Sequence, residues 1–166
     1  RDENHLPYCS SICCLGSLKH AKYVLEQNPD AKVYIFYIDI RTPGKYEDFV
    51  AKVQAEPNVK MIKGKVANIV AGENGGVLIE AEDIHNQIKV HLDVDMVVLA
   101  TGMESNLRGQ ERVAGIELDE YGFVPAELQK IGIFSAGVAK RPVDVNSSIQ
   151  DSTGAALKAI QTAMRN

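Results

Sequence analysis

The order of hydrophobic patterns in the first part of the chain is the feature that most restricts its fold. Residues 31–40 (AKVYIFYIDI) form a nearly continuous run of apolar, β-branched and aromatic side chains, which is typical of a strand buried in a parallel sheet. Helical patterns lie on both sides of this run, at 10–28 and 46–56, and a second short strand is predicted at 59–62. Because parallel strands are joined by right-handed helical crossovers, this order predicts an α/β fold with a parallel sheet.

The first predicted helix also indicates where the core lies. Its apolar residues recur at the spacing i, i+4, i+7 and i+11, which places Cys14, Leu18, Ala21 and Leu25 on one face. Hydrophobic residues make up 45% of the 166-residue chain, which is enough for a core of domain size. We therefore expect this helix to pack its striped face against the parallel sheet.

Beyond the second strand the hydrophobic pattern changes to a period of two. Apolar and polar residues alternate at 66–69, 77–81 and 88–92, and turn-forming residues separate these segments at 73–76 and 85–86. This pattern predicts three half-exposed antiparallel strands. The expected fold class is therefore α/β, with a Rossmann-like parallel sheet and an antiparallel β-meander.

Two further buried strands and a last helix are predicted in the second half. The strands are 96–100 (MVVLA) and 131–136 (IGIFSA), and the residues between them, 103–130, are rich in loop-forming and acidic side chains. The last helix is predicted at 152–164, with residues 146–148 (NSS) as its cap. Its small and apolar residues are expected to face inward: Ala155, Ala156, Ala159, Ile160, Ala163 and Met164.

Glycines follow both of these predicted strands, and they are candidate ligand contacts. The first strand ends in Thr101-Gly102 and the second is followed by Gly137. Glycine allows a ligand to approach the backbone closely, and the N–H groups at the start of the last helix could hold a pyrophosphate or the edge of a flavin. Simple strand–turn–helix packing explains the same pattern equally well.

Composition excludes several classes of function. The formal net charge is −4, and the chain has no basic stripe, so nucleic acid is not an expected partner. The longest apolar runs, 33–38 and 96–100, are too short to cross a bilayer, so direct membrane insertion is not expected. The chain does not begin with Met, which leads us to expect a piece excised from a larger protein.

All three cysteines lie within six residues, as Cys9, Cys13 and Cys14. A Cys-x3-Cys-Cys run at the start of a helix suits a soft metal centre or redox thiols, and an odd, closely spaced set is not a disulfide framework. A reducing, cytoplasmic setting is therefore expected. Paired C-x2-C spacing is missing, which argues against zinc. The alternative is that the cysteines are small core residues, and the place of Cys14 in the apolar stripe favours this for that residue.

The same turn lacks the glycines of a phosphate-binding loop. Between Cys9 and Gly16, only Gly16 is a glycine, whereas close backbone approach to a pyrophosphate requires several. Asp39, near the end of the next strand, could mimic a ribose-binding acid, although a polar strand end explains it as well. We expect no NAD(P)H binding at this turn.

The segments 98–102 (VLATG) and 132–137 (GIFSAG) resemble those of the two-dinucleotide-domain flavoproteins related to thioredoxin reductase. More specifically, the chain resembles the A subunit of heterodisulfide reductase and its relatives in the quinone-interacting membrane-bound oxidoreductase complex. This resemblance is carried by the cysteine run 9–14, by 33–41 (VYIFYIDIR) and by 137–145 (GVAKRPVDV). It extends from Tyr8 to the final helix.

The resemblance implies two cofactors. The family carries FAD and iron–sulfur clusters, so Cys9, Cys13 and Cys14 would be three ligands of a [4Fe–4S] cluster whose fourth ligand lies outside this chain. FAD of the full-length protein would contact a set of residues in the second half: Thr101, Gly102, Gly137, Val138, Ala139, Ser147 and Ser148. Lys140 and Arg141 could stabilise a reduced flavin or form a surface pair.

Two departures from the superfamily pattern concern FAD. The superfamily usually has Gly-Asp at the ribityl position, where this chain has Gly137-Val138, so a contact there must come from the backbone. The Gly-x-Gly-x-x-Gly motif that holds the FAD diphosphate is absent from this chain. FAD binding is therefore expected of the full-length protein and not of this stretch by itself.

The resemblance also implies an organisation and partners. Residues 1–102 would form a module like a pyridine-nucleotide domain, and residues 103–166 would be the C-terminal segment of an FAD-binding domain. The expected function is electron transfer within a multi-subunit oxidoreductase. Its partners would be other redox subunits, with a membrane-bound quinone-reactive subunit through which the cytoplasmic protein would associate with the membrane.

Two other functions remain open at the level of sequence. One is an NAD(P)H-dependent flavin disulfide reductase that uses vicinal thiols, although such enzymes usually space their redox cysteines as C-x2-C or C-x4-C. The other is a non-catalytic docking module in which the cysteines are only packed. As part of a larger oxidoreductase, the isolated stretch is expected to be inactive as an enzyme.

Overall fold

The computed structural model describes residues 3–109, 115–126, 129–130 and 132–165. The chain divides into two compact units. The first, called here the sheet unit, is Cys13–Ala100. The second, the C-terminal unit, combines Arg1–Ile12 with Thr101–Asn166.

The sheet unit begins with an alternation of helices and parallel strands. Its elements are α1 (Cys13–Gln27), β1 (Val33–Tyr37), a 3-10 turn (Gly44–Tyr46), α2 (Glu47–Gln54) and β2 (Val59–Lys63). Strands β1 and β2 pair in parallel, with Val33 opposite Val59 and Tyr37 opposite Lys63. The predicted strand–helix–strand order is confirmed, with β1 shorter than the apolar run that predicts it.

The core of this part lies between the two helices and the parallel strands. Leu18 and Val53 are fully buried, and Ala21 is 2% exposed. Leu25 packs against this cluster from α1. The predicted stripe on α1 therefore faces the core, as expected from burial of an amphipathic helix.

The rest of the sheet unit is an antiparallel meander. Its strands are β3 (Val66–Ala71), β4 (Val77–Asp83) and β5 (Ile88–Val94), in the order β3-β4-β5. Ile79 and Ala81 of β4 are buried, because they occupy alternate positions on the covered face of the central strand. The α/β class with a parallel sheet and a β-meander is confirmed.

The predicted strand at 96–100 is wrong. These residues form no strand, and the side chains of Met96, Val98 and Leu99 are 75%, 66% and 65% exposed. A strand needs a hydrogen-bonding neighbour, and no described strand pairs with this segment. An apolar run alone cannot supply that neighbour.

The C-terminal unit contains one long helix and no regular strand among the residues that the structure describes. The strand predicted at 131–136 is not formed at 132–136, and Ile131 lies outside the described residues. A 3-10 turn covers Gly137–Ala139, and helix α3 covers Val145–Ala163. Phe123, Val124 and Val143 are the buried apolar side chains of this unit.

Helix α3 differs from the prediction in its start and in its burial. It begins at Val145 and not at Ser152, and its cap is Asp144 and not the Asn-Ser-Ser segment at 146–148. No residue of α3 is buried, so the inward face predicted for its alanines and Ile160 is wrong. Its main described neighbour is the short Gly137–Ala139 turn, which is too small to cover a 19-residue helix.

Within the described part of the chain, no helix has both the length and the apolar character needed to span a membrane.

Candidate functional site

Cys9 lies in a segment that is tied to the turn after Gly102 by both of its neighbours. The Tyr8 hydroxyl donates to the carbonyl oxygen of Met103 at 3.0 Å, and the Met103 N–H donates to Ser10 Oγ at 2.8 Å. Ser10 is 3% exposed, whereas Cys9 is only half-buried. The two side chains that flank Cys9 are therefore held, and the cysteine itself is accessible.

The backbone after Cys9 has an unusual conformation. Ser11 has φ of 59°, a left-handed value that is uncommon for a residue other than glycine. In this conformation the Ser11 N–H donates to Cys9 Sγ, with a nitrogen–sulfur distance of 3.4 Å. Amide groups directed at cysteine sulfur are among the contacts that tune iron–sulfur clusters.

Cys13 and Cys14 are the first two residues of α1 in the sheet unit. Cys14 Sγ lies 3.6 Å from the carbonyl oxygen of Asp39, just beyond the end of β1. Ligand sites of α/β sheets lie at the carboxyl ends of the strands. Cys14 therefore occupies a position of this kind within its own unit. Its contact with Asp39 is made by the backbone, and the suggested ribose-binding role of the Asp39 carboxylate stays a prediction.

The chemistry of the donor set fits an iron–sulfur cluster. None of the three cysteines is in a disulfide, and all three are half-buried, so thiolates could meet a metal without unfolding a core. Within the described ranges, no group of three or more histidine, cysteine, aspartate or glutamate side chains is arranged to hold a metal ion. The ligand roles of Cys9, Cys13 and Cys14 therefore remain a prediction from sequence and resemblance.

Gly102 has a structural role within its own unit. Its φ is 98°, and a Cβ at this position would lie 2.7 Å from both Leu6 Cδ2 and Ser10 Oγ. Glycine is needed here because residues 6–10 pack directly on this backbone. The neighbouring Thr101 is exposed. The FAD contacts predicted for Thr101 and Gly102 are not tested by this packing.

Gly137 sits in a similarly close arrangement. Its φ is 59°, and a Cβ would lie 3.1 Å from the Cβ of Ser148. The Gly137 N–H donates to Asp151 Oδ2 at 2.9 Å. Val138 is 52% exposed, and the Ala139 carbonyl accepts from the Val124 N–H at 2.8 Å. The turn is therefore held by the Asp151 side chain and the Val124 backbone, and the Val138 side chain is exposed.

The start of α3 already carries a negative charge. Asp144 Oδ1 accepts from the Ser147 N–H at 2.7 Å, and Ser148 Oγ donates to the Asp144 carbonyl at 2.8 Å. Hydrogen bonds from Ser147 hold the pKa of the Asp144 carboxyl below its ordinary value, so the cap is ionised at neutral pH. A carboxylate that satisfies the helix end competes with any phosphate there.

Lys140 has its charge countered within the same unit. Its Nζ lies 3.2 Å from Asp151 Oδ1, and both side chains are partly buried. The pKa of Asp151 is lowered first by the hydrogen bond from the Gly137 N–H and then by Lys140. Arg141 is exposed. Lys140 is thus one half of an ion pair, which limits the charge that it could present to a reduced flavin.

One buried polar atom has no protein partner. The hydroxyl of Ser135 is buried and, among the described residues, makes no hydrogen bond. Leaving such a group unsatisfied costs about 1–3 kcal/mol. Ser135 is two residues before Gly137, so a ligand at the Gly137 turn is one source of the missing partner.

Several residues of these sites could not be found from sequence. Tyr8 and Ser10 meet Met103 across more than 90 positions of the chain, and no local pattern signals such a contact. Asp151 lies within α3, and no sequence pattern indicates its contact with Gly137 and Lys140. Asp144 could have been found from sequence, because Asp is a strong N-cap residue. Its carboxylate accepts a hydrogen bond from the N–H three residues later, at Ser147.

No family model matches the chain. It is 35% identical over 162 residues to the A subunit of the H(2)/formate:CoB-CoM heterodisulfide,ferredoxin reductase of Methanococcus maripaludis, which covers 90% of this chain and 25% of that protein. It is 34% identical over 161 residues to the iron–sulfur A subunit of the CoB–CoM heterodisulfide reductase of Methanocaldococcus jannaschii, which covers 90% and 24%. The chain thus spans about a quarter of the length of these curated relatives.

A third relative matches a longer part of the chain. A protein of Archaeoglobus profundus, described as similar to the A subunit of heterodisulfide reductase, is 34% identical over 171 residues, which covers 96% of this chain and 24% of that protein. The predicted likeness to the A subunit of heterodisulfide reductase is therefore confirmed by these homologues.

The structure is similar to that of a thioredoxin reductase. The crystal structure of T. acidophilum thioredoxin reductase matches with a TM-score of 0.60 at 18% identity, over 91% of this chain and 49% of that one. At this identity the match shows the fold alone. It confirms the thioredoxin-reductase-like fold that the segments at 98–102 and 132–137 predict.

Proposed function

We propose that the chain is part of an electron-transfer subunit that is similar to the A subunit of heterodisulfide reductase and contains flavin and iron–sulfur centres. The observation that carries this proposal is the Cys-x3-Cys-Cys run in a chain that is 35% identical, over 90% of its length, to such an A subunit. The thioredoxin-reductase-like fold supports it, because that fold is suited to flavin chemistry. The relay of electrons through several subunits is part of the proposal.

The proposed cluster ligands are Cys9, Cys13 and Cys14, with a fourth ligand from outside this sequence. The chain has no other cysteine. A [4Fe–4S] cluster is held by thiolates and transfers single electrons. The half-buried sulfurs and the N–H directed at Cys9 support this ligand set over simple packing of the cysteines.

The proposed FAD contacts lie in the C-terminal unit. They are Thr101, Gly102, Gly137, Val138, Ala139, Ser147 and Ser148. The unsatisfied Ser135 hydroxyl supports a ligand at the Gly137 turn. The ionised Asp144 at the start of α3 argues that the ligand meets this turn with an uncharged edge and not with its phosphates.

The finer assignment concerns the complex and the location. We place the chain nearest to the A subunit of the quinone-interacting membrane-bound oxidoreductase complex, on the basis of the motifs at 33–41 and 137–145. Other redox subunits would be its partners, and a quinone-reactive one would link the cytoplasmic protein to the membrane. Residues 1–102 would belong to the pyridine-nucleotide-like module and 103–166 to the FAD domain.

The rival with the most support is an NAD(P)H-dependent flavin disulfide reductase. The thioredoxin-reductase-like fold favours it, and Cys13 and Cys14 would be the vicinal thiols. Stoichiometric bleaching of bound FAD by NADH in the full-length protein would favour this rival. The cysteine spacing and the names of the relatives favour electron transfer instead.

The test is anaerobic purification of the full-length protein, with iron, acid-labile sulfide and flavin quantified. The Cys13→Ser, Cys14→Ser double variant is expected to lose the iron and sulfide of one cluster, because serine is a poor ligand for the cluster iron. A Ser17→Ala variant, which leaves all thiols in place, is the control. An unmodified protein that works without iron, or a double variant with full iron content, contradicts the proposal.

A further inference from the structure

We infer that Tyr8 and Ser10 are positioning residues for Cys9, and that together with the left-handed turn at Ser11 they present its sulfur to the cluster. This inference rests on the proposed function, because it takes Cys9 as an iron ligand. Nothing in the cysteine spacing itself indicates a role for either residue. The assignment comes from hydrogen bonds and packing contacts within the C-terminal unit.

Two hydrogen bonds hold the backbone on either side of Cys9. The Tyr8 hydroxyl donates to the Met103 carbonyl at 3.0 Å, and Ser10 Oγ accepts from the Met103 N–H at 2.8 Å. Both bonds end on the backbone of Met103. The residues on either side of Cys9 are therefore attached to the same point of the chain.

Packing reinforces the same attachment. The Tyr8 ring meets those of Tyr121 and Phe123 edge-on, at centroid distances of 4.9 and 5.7 Å. Phe123 is 3% exposed, and Ser10 lies against Gly102, where a Cβ would lie 2.7 Å from its Oγ. Such aromatic pairs contribute about 0.5–1.5 kcal/mol each beyond their burial. The segment is therefore fixed by packing as well as by hydrogen bonds.

The difference in burial between Cys9 and Ser10 indicates that the fold leaves the Cys9 sulfur available to a ligand. Ser10 is buried and Tyr8 is anchored at its hydroxyl and its ring, yet Cys9 between them is only half-buried. A cysteine placed for packing would be expected to be among the most buried side chains. Here the fold buries Ser10 and anchors Tyr8, while Cys9 between them stays half-buried.

The turn at Ser11 adds a direct contact to the sulfur. Ser11 has a left-handed φ of 59°, and its N–H donates to Cys9 Sγ at 3.4 Å. Hydrogen bonds to the ligand sulfurs help to set the reduction potential of a cluster. Residues that orient metal ligands typically contribute about 10–100-fold to metal affinity. Loss of the anchors is expected to have an effect of this size.

The experiment uses the full-length protein, prepared anaerobically, with Tyr8→Phe and Ser10→Ala as variants. Tyr8→Phe removes one hydroxyl and keeps the ring packing, so it decides the question even where Ser10→Ala weakens folding. The matched controls are Tyr121→Phe, which removes a hydroxyl from the same aromatic group, and Thr162→Ala, which removes a hydroxyl from the end of α3 that is bonded to the Lys158 carbonyl.

Four quantities are measured. Two describe the cluster: its midpoint potential and its electron paramagnetic resonance spectrum. The others are the rate of iron loss to a chelator and the rate at which Cys9 of the iron-free protein reacts with a maleimide. Both variants are expected to shift the potential and spectrum. They should also speed iron loss by about tenfold or more, and they should speed the maleimide reaction, because Cys9 is no longer held. The controls should match the unmodified protein.

Two results overturn the inference, and they are distinguishable. A cluster that is present in the unmodified protein and unchanged in both variants, with unchanged Cys9 reactivity, removes the positioning role and leaves the proposed function intact. An unmodified protein without any cluster overturns the proposed function, and the inference falls with it.

Discussion

Gly64, between β2 and β3, shows how closely a single residue can be determined by its surroundings. A Cβ at this position would overlap the carbonyl oxygen of Glu82 on the neighbouring strand. The Gly64 N–H also donates to the Tyr37 carbonyl, so the backbone cannot easily move away. Nothing in the sequence distinguishes this glycine from those in ordinary turns. Its requirement arises from a contact with a residue 18 positions later.

Gly64→Ala is expected to destabilise the protein by about 1–3 kcal/mol, because the added methyl group forces two strands apart. The control is Gly16→Ala in α1, where nothing lies within 4 Å of the new Cβ. That change should be neutral or stabilising by up to about 1 kcal/mol, since alanine favours the helix. Urea unfolding of both variants measures the difference. Equal stabilities would contradict the close approach of Gly64 and Glu82.

Asp83 is a buried carboxylate at the end of β4 that closes the turn to β5. Its two oxygens accept from the backbone N–H of Asn86 at 3.0 Å and from its side-chain amide at 2.8 Å. These hydrogen bonds, the backbone one first, lower the pKa of Asp83 from its ordinary value of 3.8. A lowered pKa in the folded state means that the ionised carboxylate stabilises the fold above that ordinary value.

The stabilisation by Asp83 should therefore be constant at neutral pH and decline as the pH falls below about 4. We expect the difference in unfolding free energy between the wild type and Asp83→Asn to shrink over that range. Asp95→Asn, which removes the same charge from an exposed position next to β5, is the control. Urea unfolding at a series of pH values measures this difference in unfolding free energy. A difference that grows on acidification would contradict the direction of the pKa shift.

At the scale of elements, periodicity identified the helices and strands that have partners close in sequence. The strands and helices predicted between residues 10 and 92 are present, with ends that differ by a few residues. The segments at 96–100 and 132–136 have equally strand-like composition but form no strand. Composition reports which side chains tolerate an extended backbone, whereas a strand exists only where a neighbour accepts and donates its hydrogen bonds.

The start of α3 depends on Asp144. Asp144→Ala is expected to cost about 1 kcal/mol of stability, because the Ser147 N–H loses its acceptor. Asp144→Asn should retain most of that stability, since the amide oxygen can accept the same bond. Thermal unfolding followed by circular dichroism compares the three proteins. An alanine variant as stable as the wild type would show that the helix is capped in another way.

At the scale of the whole molecule, the division into two units changes how the cysteine run is understood. The boundary falls between Ile12 and Cys13, so Cys9 is positioned by the C-terminal unit and Cys13 and Cys14 begin a helix of the sheet unit. The run looks continuous in sequence, yet its members are held by different parts of the chain. The contacts of Tyr8 and Ser10 with Met103 could not be predicted, because Met103 lies more than 90 positions further along the chain.

The scarcity of glycine at the cysteine turn leads to a prediction for the whole protein. NADH should not bind at this turn of the full-length protein, because only Gly16 allows close approach of the backbone to a pyrophosphate between residues 9 and 16. Titration of the protein with NADH, followed by amide chemical shifts, tests for binding at this turn. Saturable binding with shifts confined to residues 9–16 would contradict the prediction, whereas binding elsewhere would not.

Local sequence patterns were enough to predict the α/β class, the β-meander, the stripe of α1 and the likeness to the A subunit of heterodisulfide reductase. These features depend on patterns within a few residues, where side-chain period and turn chemistry act directly. Three other features emerged only from the folded chain: residues 6–10 dock on Gly102, Asp144 caps α3, and α3 buries none of its side chains. The physical reason is that burial and hydrogen-bond pairing are properties of neighbours in space, and those neighbours can be almost a hundred residues away along the chain.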